Sequence, residues 1–545
     1  MSAPAPSLRK PQPASDAYVE SVDPATGEGV ARFEAAQLSK IPEVFSRSRE
    51  AQTAWAARPL SERCTLLRRF QTVLFDRREE IVEVICRETG KPRVEAIFAE
   101  IMFALDTANF LVRNSRRFLQ PQRVPHHNWA LKSKRGRLRF EPLGVVALIT
   151  PWNYPFAIPI GQVLPALVSG NAVLLKPSEL TPWTGALIAE LLEQAGAPAG
   201  LVQVLQGGGE VAAAIIDAGP DKVFFTGSVE TGRKVAEACA RKLIPSVLEL
   251  GGKDPMIVLA DANIEKASSA AVWGGFTNCG QACLSVERVY VEQPVAEQFI
   301  SLCVEKTKNL RLGSSADPET DIGPMIRSKE IDRVEAQLKE AASRGAKILI
   351  GGRRTPEKGA NFFAPTIVVN VDHTMRLTRE ETFGPVITIQ PVADADEAVR
   401  LANDSEFGLS ASIWTHDAKR AREIASGLRV GSVMINDVAS YYGVAEAPHG
   451  GRGASGWGRA HSHLGLLEMA HVKYVDEDLL PRLAKSWWYP YGGSLAAAAD
   501  RFTEMLFAPN WKRRWKALAT EHRSLGPLFK KGGASKFQRT GAEPK

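Results

Sequence analysis

The sequence predicts an α/β protein built on a doubly wound, Rossmann-like parallel sheet, with a second α/β region after it. Short apolar runs alternate with helical patterns between residues 145 and 225, the order that parallel strands joined by helices produce. The chain has 545 residues, too many for one hydrophobic core, so we expect two or three domains. Hydrophobic and charged contents of 44% and 24% are ordinary for a soluble globular protein.

The predicted elements follow one another in a simple order. A turn-rich start at residues 22–27 precedes helical patterns from 42 to 117, in which five apolar residues repeat at helical spacing: Leu66, Leu67, Phe70, Val73 and Leu74. Buried strands are then predicted at 145–149, 172–175, 202–205 and 223–225, with helices at 184–195 and 211–217. A second α/β stretch runs from about 255 to 436. The alternating residues 129–141 predict a strand pair outside the main sheet.

The stretch from Gly274 to Ser285 surrounds Cys283 with small and amide side chains, 34 positions after the lone acid Glu249. A thiolate attacks an electrophilic carbon well only if its pKa is lowered or a base lies nearby. Most free cysteines are small buried side chains, and taken alone Cys283 would be interpreted that way. The surrounding motifs reverse this interpretation.

Six short motifs occur together and in one order. Residues 278–283 (Asn-Cys-Gly-Gln-Ala-Cys) resemble the cysteine motif of the aldehyde dehydrogenase superfamily, and residues 248–252 (Leu-Glu-Leu-Gly-Gly) resemble its glutamate motif. Four further segments match motifs of the same family: 151–155, 176–179, 225–228 and 380–385. The resemblance covers about residues 20–475. It is specific for the superfamily and much less so for the substrate.

The resemblance implies oxidation of an aldehyde to its carboxylic acid with NAD, or alternatively NADP. Cys283 would attack the aldehyde to form a thiohemiacetal, and the Asn153 side-chain amide and the Cys283 N–H would bind the oxyanion. Glu249 would be the general base that activates water to hydrolyse the resulting thioester. Relatives that pass the acyl group to coenzyme A or phosphate tend to lack this base. The alternative, a non-catalytic binding or structural protein on the same fold, is disfavoured because all three residues are present.

The resemblance also implies a nucleotide site. Lys176 would hold the adenosine ribose hydroxyls, and the carboxylate of Glu179 should repel a 2′-phosphate, which favours NAD over NADP. A strand, turn and helix over residues 223–232 place small residues at a helix N-terminus, which suits a phosphate. Glu381 would hold the nicotinamide ribose and Phe383 would pack against the nicotinamide ring. The other predicted cofactor-binding residues are Thr150, Pro151, Trp152, Ser178, Gly227, Ser228, Gly232 and Leu250.

The family pattern also suggests a domain division and an oligomer. We expect a disordered N-terminus (1–20), an NAD(P)-binding domain (21–125 and 143–250), a small β flap of oligomerisation strands (126–142 and 458–478), a catalytic α/β domain (251–457) and a C-terminal appendage (479–545). Strands outside the main sheet join subunits in the resembled family, so a homodimer or homotetramer is implied.

The chain departs from the family pattern at residues 448–456. Many relatives read Pro-Phe-Gly-Gly-x-Lys-x-Ser-Gly there, whereas this chain reads Pro-His-Gly-Gly-Arg-Gly-Ala-Ser-Gly. Gly453 resembles the fatty-aldehyde branch, while His449 and Arg452 match no branch. The change lies near the expected substrate entrance, so the substrate class stays open: medium- or long-chain aliphatic, aromatic and semialdehyde substrates are all possible.

The appendage is the second departure, since most relatives end near residue 476. It begins with Trp-Trp-Tyr-Pro-Tyr at 487–491, and residues 512–545 hold ten basic and two acidic side chains, so that this tail is +8 in a chain of net charge +7. Six residues form one face of a predicted helix: Leu495, Ala498, Ala499, Phe502, Met505 and Leu506. Two interpretations stay open: attachment to an anionic membrane surface, or a helix packed on the enzyme or a neighbouring subunit. RNA binding is a third, but we expect no nucleic acid because no recognition module accompanies the basic run.

Cysteine usage and the termini limit the location of the chain. The six cysteines show no disulfide spacing, which fits a reducing compartment. Cys279 and Cys283 lack a second cysteine or histidine pair, so no metal site is expected. The N-terminus lacks the apolar core of a signal peptide, and no apolar run approaches the roughly 20 residues of a membrane span. We therefore expect a cytoplasmic protein, with peripheral membrane contact as the alternative.

Overall fold

The computed structural model describes residues 18–128, 131–482, 485, 487–489 and 491–521. The chain divides into two compact units, residues 1–120 with 140–472 and residues 121–139 with 473–545. The strands are β1 (Tyr18–Val22), β2 (Gly29–Glu34), β3 (Gln122–Val124), β4 (Lys134–Pro142), β5 (Val145–Ile149), β6 (Ala172–Lys176), β7 (Val202–Val204), β8 (Lys222–Thr226), β9 (Ser246–Glu249), β10 (Asp254–Val258), β11 (Val286–Glu292), β12 (Lys347–Ile350), β13 (Thr366–Val369), β14 (Val386–Val392), β15 (Ser410–Trp414), β16 (Ser432–Ile435), β17 (Gly456–Trp457) and β18 (Ala470–Asp478).

The helices alternate with these strands through most of the first unit. They are α1 (Ile41–Ala56), α2 (Leu60–Asp76), α3 (Arg78–Thr89), α4 (Arg93–Ala96), α5 (Phe103–Leu119), α6 (Ala157–Ser169), α7 (Pro182–Gln194), α8 (Gly209–Asp217), α9 (Val229–Arg241), α10 (Ile264–Phe276), α11 (Gln293–Lys308), α12 (Ser328–Ser343), α13 (Arg376–Arg379), α14 (Ala395–Asn403), α15 (Ala418–Gly427), α16 (Ser462–Glu468), α17 (Gly493–Phe507) and α18 (Trp511–Glu521). A π-helical segment, Ile97–Met102, joins α4 to α5.

The first sheet has six strands in the order β17-β9-β8-β5-β6-β7, all parallel except β17. Every residue of β5 and β6 is buried, as expected for parallel strands with helices on both faces. The predicted parallel, doubly wound sheet is confirmed. Because the carboxyl ends of parallel strands meet at one edge, the residues that follow β5, β6, β8 and β9 gather there.

The second sheet has seven strands in the order β12-β13-β14-β11-β10-β15-β16, and only β12 is antiparallel to its neighbour. The predicted second α/β region, from about 255 to 436, matches β10 to β16. The chain between α10 and β11 carries Cys283. Chemically active side chains of the first unit therefore extend from the edges of both sheets.

Two short sheets lie apart from these in the sequence. Strands β1 and β2 form an antiparallel hairpin, so the predicted disordered segment 1–20 is wrong for residues 18–20, and residues 1–17 lie outside the described residues. Strands β18, β4 and β3 form a three-stranded sheet. The predicted strand segment 458–478 needs correction as well, because α16 occupies Ser462–Glu468 before β18 begins.

The appendage folds into two helices that pack against each other, α17 and α18. Most of the predicted apolar face of α17 is buried or half-buried, but Ala499 is exposed and does not share this environment. No described helix is both long and apolar enough to cross a membrane. Most of the basic tail lies outside the described residues, which end at 521.

Candidate active site

The loop before β11 holds Cys283 in a constrained backbone. Three successive residues, Asn278, Cys279 and Gly280, adopt positive φ angles of 50°, 55° and 70°. A Cβ on Gly280 would lie 2.2 Å from the carbonyl oxygen of Gly384, so glycine permits this close approach. The Cys283 side chain is half-buried and lines a cavity, whereas Cys279 is 2% exposed. The structure thus separates the two cysteines of the motif.

Glu95 anchors the start of this loop. Its carboxylate accepts hydrogen bonds from the Thr277 hydroxyl at 2.9 Å and from the Asn278 N–H at 3.0 Å. The Asn278 side-chain amide in turn donates to the carbonyl oxygens of Asn153 at 3.0 Å and Gln281 at 3.2 Å. Hydrogen bonds from N–H and O–H groups offset the free-energy cost of burying a carboxylate. No local sequence pattern indicates this role, because 182 residues separate Glu95 from Thr277.

A buried ion pair holds the turn that contains Asn153. Lys91 Nζ donates to Glu100 at 2.6 Å and to the Asn153 carbonyl oxygen at 2.8 Å. Glu100 also accepts from the N–H groups of Phe156 and Ala157, at 2.8 and 3.0 Å. Both charged side chains are fully buried. No short sequence pattern marks this pair, since Lys91 lies between α3 and α4 and Glu100 lies in the π-helical segment.

Asn153 lies beside the cysteine loop, as predicted for an oxyanion donor. Its side-chain amide donates to the Gln281 carbonyl oxygen at 3.0 Å, two residues before Cys283. An amide nitrogen carries two hydrogens, so one remains for a second acceptor. The side chain is 4% exposed, and its orientation is fixed by these contacts.

Glu249 ends β9 and lines the same cavity as Cys283. Gly252 brings the two segments together, since a Cβ at this position would lie 2.2 Å from the Cys283 carbonyl oxygen. Within the described residues, neither carboxylate oxygen of Glu249 has a hydrogen-bond partner. Burial raises the pKa of Glu249 well above its usual value, and the positive charge of Arg459 offsets this only in part. Burial, and then the nearby Glu381, likewise raise the pKa of the Cys283 thiol.

Four predicted cofactor residues lie at the carboxyl edge of the first sheet. Lys176 ends β6 and is 5% exposed, with its Nζ 3.5 Å from Glu179 Oε2. Burial lowers the pKa of Lys176, and Glu179 opposes that shift. On the neighbouring strand, the buried hydroxyl of Thr150 has no partner among the described residues. Ser178 is buried directly beyond β6. An unpartnered hydroxyl and a buried cation suit a polar ligand at this edge.

The turn after β8 also agrees with the sequence prediction. Ser228 is the N-cap of α9, and its hydroxyl accepts from the Thr231 N–H at 3.3 Å. The Gly227 N–H donates to the Glu249 carbonyl oxygen at 3.0 Å, and this bond links the turn after β8 to the end of β9. A Cβ on Gly232 would lie 2.5 Å from the Leu250 side chain, so glycine allows α9 to pack there. Leu250 itself lines the cavity with Cys283 and Glu249.

The last group of predicted cofactor residues lies near the cysteine loop. Glu381 accepts from the Gly252 N–H at 3.0 Å, and burial followed by Glu287 raises the pKa of Glu381 to about 7. Phe383 meets the Trp152 ring edge-to-face at a centroid distance of 5.5 Å. Pro151 lies half-buried beside Trp152. Among the described residues, no three His, Cys, Asp or Glu side chains are grouped so that they could hold a metal ion.

A family model described as the aldehyde dehydrogenase family matches residues 12–475 of this chain. The chain belongs to the aldehyde dehydrogenase family. It is 39% identical over 478 residues to a 4,4'-diapolycopene aldehyde oxidase from Methylomonas sp, covering 87% of this chain and 89% of that protein. It is 38% identical to a putative succinate-semialdehyde dehydrogenase [NADP(+)] 2 from Mycobacterium tuberculosis, covering 83% and 86% of the two chains.

A solved structure agrees with this membership of the aldehyde dehydrogenase family. An NAD-dependent aldehyde dehydrogenase from Sinorhizobium meliloti superposes with a TM-score of 0.83 at 34% identity, covering 87% of this chain and 93% of that one. The predicted fold, the reaction class and the use of NAD or NADP are confirmed: the chain is an NAD(P)-dependent aldehyde dehydrogenase. Enzymes of this family are typically oligomeric.

Proposed function

We propose that this aldehyde dehydrogenase oxidises an uncharged, largely apolar aldehyde to its carboxylic acid, with Cys283 as nucleophile and Glu249 as hydrolytic base. The carrying observation is the shared cavity that both side chains line. The half-buried thiol faces it, while the other cysteine of the motif is enclosed. A nucleophile and a base at one cavity support acyl transfer to water.

In this mechanism the Cys283 thiol gives up its proton to solvent, and the thiolate sulfur adds to the aldehyde carbon to give a thiohemiacetal oxyanion. The Cys283 N–H and the second hydrogen of the Asn153 amide donate to that oxyanion, and removing one such donor typically lowers the rate about 10²–10³-fold. Loss of hydride from the same carbon leaves a thioester on Cys283. Glu249 then takes a proton from water, which attacks the thioester carbon and releases the acid and the thiol.

The described residues fit a nicotinamide dinucleotide. Lys176, Glu179 and Ser178 would hold the adenosine ribose, and the Ser228-capped start of α9, with Gly227 and Gly232, would face the pyrophosphate. We assign the nicotinamide end to Glu381, Phe383, Trp152, Thr150, Pro151 and Leu250. The oxidised nicotinamide, when bound, would supply the acceptor for the hydride that leaves the thiohemiacetal carbon. The unpartnered Thr150 hydroxyl and the buried Lys176 support this placement.

The cavity walls support the proposed substrate class. They comprise aliphatic, aromatic, imidazole and uncharged polar side chains together with Glu249 and Cys283, and no lysine or arginine is among the described residues that line it. Tyr442 and His461 both line the cavity, and their rings meet edge-to-face at 4.7 Å. A substrate carboxylate would find no cation here, whereas a planar or aliphatic chain would pack on these rings.

A graded aldehyde panel tests this proposal by NADH formation at 340 nm. Aromatic and long-chain aliphatic aldehydes should show kcat/KM values at least about tenfold above those of succinate semialdehyde, since one unpaired buried charge costs more than 1.4 kcal/mol. A preference for the semialdehyde would overturn the substrate class but not the reaction. No NADH with any aldehyde would overturn the reaction itself.

We further propose that the appendage contacts anionic lipid. Trp511, Trp515 and Leu518 recur at i, i+4 and i+7 on α18 and are 65%, 62% and 45% exposed. Cations lie between and beside these indoles: Lys512, Arg513, Arg514 and Lys516. Indole and cationic side chains on one short helix favour the interface of a charged membrane.

A homo-oligomer, dimer or tetramer, completes the proposal. Strand β18 is at the edge of its sheet, and Val472 and Tyr474 on this strand are 50% and 48% exposed. An exposed edge with apolar side chains suits pairing with a second copy. Light scattering with size exclusion would test it, and a monomer would contradict it. The domain boundaries at 21–125, 143–250 and 251–457 stay predictions.

A further inference from the structure

A buried histidine lies against the carboxylate that the proposed mechanism uses as a base. His449 Nε2 is 3.6 Å from Glu249 Oε2, and the histidine and glutamate side chains are 6% and 4% exposed. His449 is also the residue that departs from the Pro-Phe-Gly-Gly pattern of many relatives. A polar ring therefore stands beside Glu249 where the common pattern would place a phenyl ring.

The other nitrogen of the same ring has a partner of its own. The Tyr441 hydroxyl lies 3.0 Å from His449 Nδ1, so the imidazole bridges a phenol and a carboxylate. The ring packs edge-to-face on Tyr442 at 5.0 Å and stacks on His461 at 5.7 Å. Its backbone exchanges two hydrogen bonds with Ala460, of 2.9 and 2.8 Å. These contacts fix the position of the ring on every side.

Glu249 must be ionised to act as a base, and a hydrogen-bond donor beside its carboxylate would favour the ionised form. Its two oxygens lack hydrogen bonds within the described residues, and burial raises the pKa of its carboxyl group well above the usual value. A protonated carboxyl cannot take a proton from water. A hydrogen bond donated to the charged form would lower the pKa again.

We propose that His449, held by Tyr441, is a positioning residue that donates its Nε2–H to the Glu249 carboxylate and keeps that carboxylate ionised and aimed at the hydrolytic water. The inference rests on the proposed function, and it adds His449 as a second residue on which the action of the base, Glu249, depends. The 3.6 Å separation is longer than a hydrogen bond, and the proposal requires the two side chains to approach each other when substrate binds. Catalytic contacts are often long before substrate binds.

The tautomer follows from the two partners. A neutral imidazole carries one N–H, and a lone pair on Nε2 facing a carboxylate would be repulsive. With Glu249 ionised, the proton therefore belongs on Nε2, and the Tyr441 hydroxyl donates to Nδ1. Burial and then Arg459 lower the pKa of His449 to about 4. The ring is thus neutral across the range in which enzyme assays are run, so His449 does not itself titrate there.

Other charged or titratable groups also face this pair and stay the same in each variant below. The groups that interact with Glu249, His449 or Tyr441 are Arg459, Glu468, Asp254, Cys283, Tyr442 and His461. Arg459 favours the charged form of Glu249, while Glu468 opposes it. A change at His449 that moves the pH profile is therefore attributable to the new side chain.

The test compares His449→Phe, His449→Gln and Tyr441→Phe with the wild type. Decay of the acyl-enzyme is followed by rapid quench and intact mass across pH, with the NADH burst as the measure of acylation. His449→Phe should move the acid limb of the decay rate to higher pH by about 1–2 units. The reason is that losing a hydrogen bond to a charged carboxylate raises its pKa by about that amount. His449→Gln restores an N–H donor and should return at least half of the shift. Tyr441→Phe should give a smaller upward shift.

Two controls make the outcome decisive. His463→Gln, an exposed histidine on the same segment, should leave the profile unchanged. An unmoved acid limb in His449→Phe, or an equal shift in His449→Phe and His449→Gln, would overturn the inference. A normal NADH burst in those variants shows that the proposed function still holds. Infrared titration of the Glu249 carboxyl band, identified by difference against Glu249→Gln, gives the same comparison without turnover; equal Glu249 pKa values in His449→Phe and wild type would also overturn it.

Discussion

The cysteine loop, residues 277–285, and the C-terminal appendage, residues 479–545, use polar and aromatic side chains in opposite ways. In the loop, Glu95, Asn153 and Asn278 are linked by hydrogen bonds of about 3.0 Å. In the described part of the appendage, indoles and cations are exposed to solvent. The first arrangement depends on exact placement, and the second depends on composition. A single change should therefore abolish function in the loop, while effects in the appendage should accumulate gradually.

The largest effect is expected for Cys283→Ala. Removing the only thiol of the motif that faces the cavity should lower turnover by roughly 10⁴-fold or more, because no covalent intermediate can form. Dinucleotide binding, measured by fluorescence titration, should change little. The matched control is Cys279→Ala, whose side chain is enclosed and which should keep turnover within a few-fold. Equal losses in the two variants would break the comparison, since both cysteines would then depend on loop geometry alone.

The role of the base gives the next effect. Glu249→Gln should transfer one hydride per subunit rapidly and then stall, which gives a burst of NADH without steady turnover. The amide is close in shape to the carboxyl group but cannot take a proton from water. An unchanged steady-state rate would show that another group activates water. A lost burst would indicate that Glu249 also deprotonates Cys283.

The buried ion pair under the Asn153 turn should sharpen the comparison through stability. Glu100→Ala leaves Lys91 charged and unpaired in the core, which lowers the free energy of unfolding by about 3–5 kcal/mol. Replacing both partners, with Lys91→Met and Glu100→Leu, should recover much of that stability in denaturant unfolding. Activity should stay low in the double variant, because the Asn153 carbonyl oxygen has lost its donor. Recovery of full activity would show that the pair does not position Asn153.

The sequence predicted the catalytic motifs because their chemistry is concentrated in short stretches. Cys283 and Glu249 do line one cavity, and the strand ends at Lys176 and Thr226 are as expected. The supports were missed because they act over long separations, as Lys91 does on Asn153. No local pattern distinguishes such a buried charge from a surface one. His449 was visible as a departure, but its contact with Glu249 depends on how two distant segments pair.

In the appendage, some predictions from the sequence agree with the structure and others do not. Helical periodicity located α17 within two residues of its observed start, and it correctly marked Ala498 as buried. It placed Ala499 on the same face, although this residue is exposed. For the region of α18 the sequence predicted only a basic tail, and the structure shows a helix with Trp511 and Trp515 exposed on it. Periodicity finds a face, but only packing against α17 decides which face is covered.

A smaller effect is expected at the adenosine ribose. Glu179→Gln should raise the ratio of kcat/KM for NADP over NAD about fivefold, since a nearby carboxylate repels the 2′-phosphate by about 1 kcal/mol in a solvent-exposed site. The Glu179 side chain is 47% exposed, so added salt should reduce the difference. Glu193→Gln, an exposed acid on α7, should leave the ratio unchanged. Equal ratios in the two variants would show that Glu179 does not select the cofactor.

The smallest single-residue effects are expected in the appendage, and they decide what it contacts. Deleting residues 481–545 should leave kcat on a short, soluble aldehyde nearly unchanged but abolish sedimentation with anionic liposomes. Trp511→Ser or Trp515→Ser alone should weaken binding only several-fold, because the other indole remains, as do the cations, each of which contributes about 1 kcal/mol near an anionic surface. Binding by the full chain should fall as salt rises from low to physiological ionic strength.

Trp273→Ser is the matched control, since this tryptophan is 52% exposed on α10 and should not affect liposome binding. If the appendage instead packs on a second copy, its deletion should lower the melting temperature or split the oligomer, and liposome binding should be absent in both forms. Absence of binding at low salt would end the membrane proposal. A single tryptophan variant that abolished binding outright would break the comparison from the other side, because it would show that α18 binds through exact placement, as the cysteine loop does.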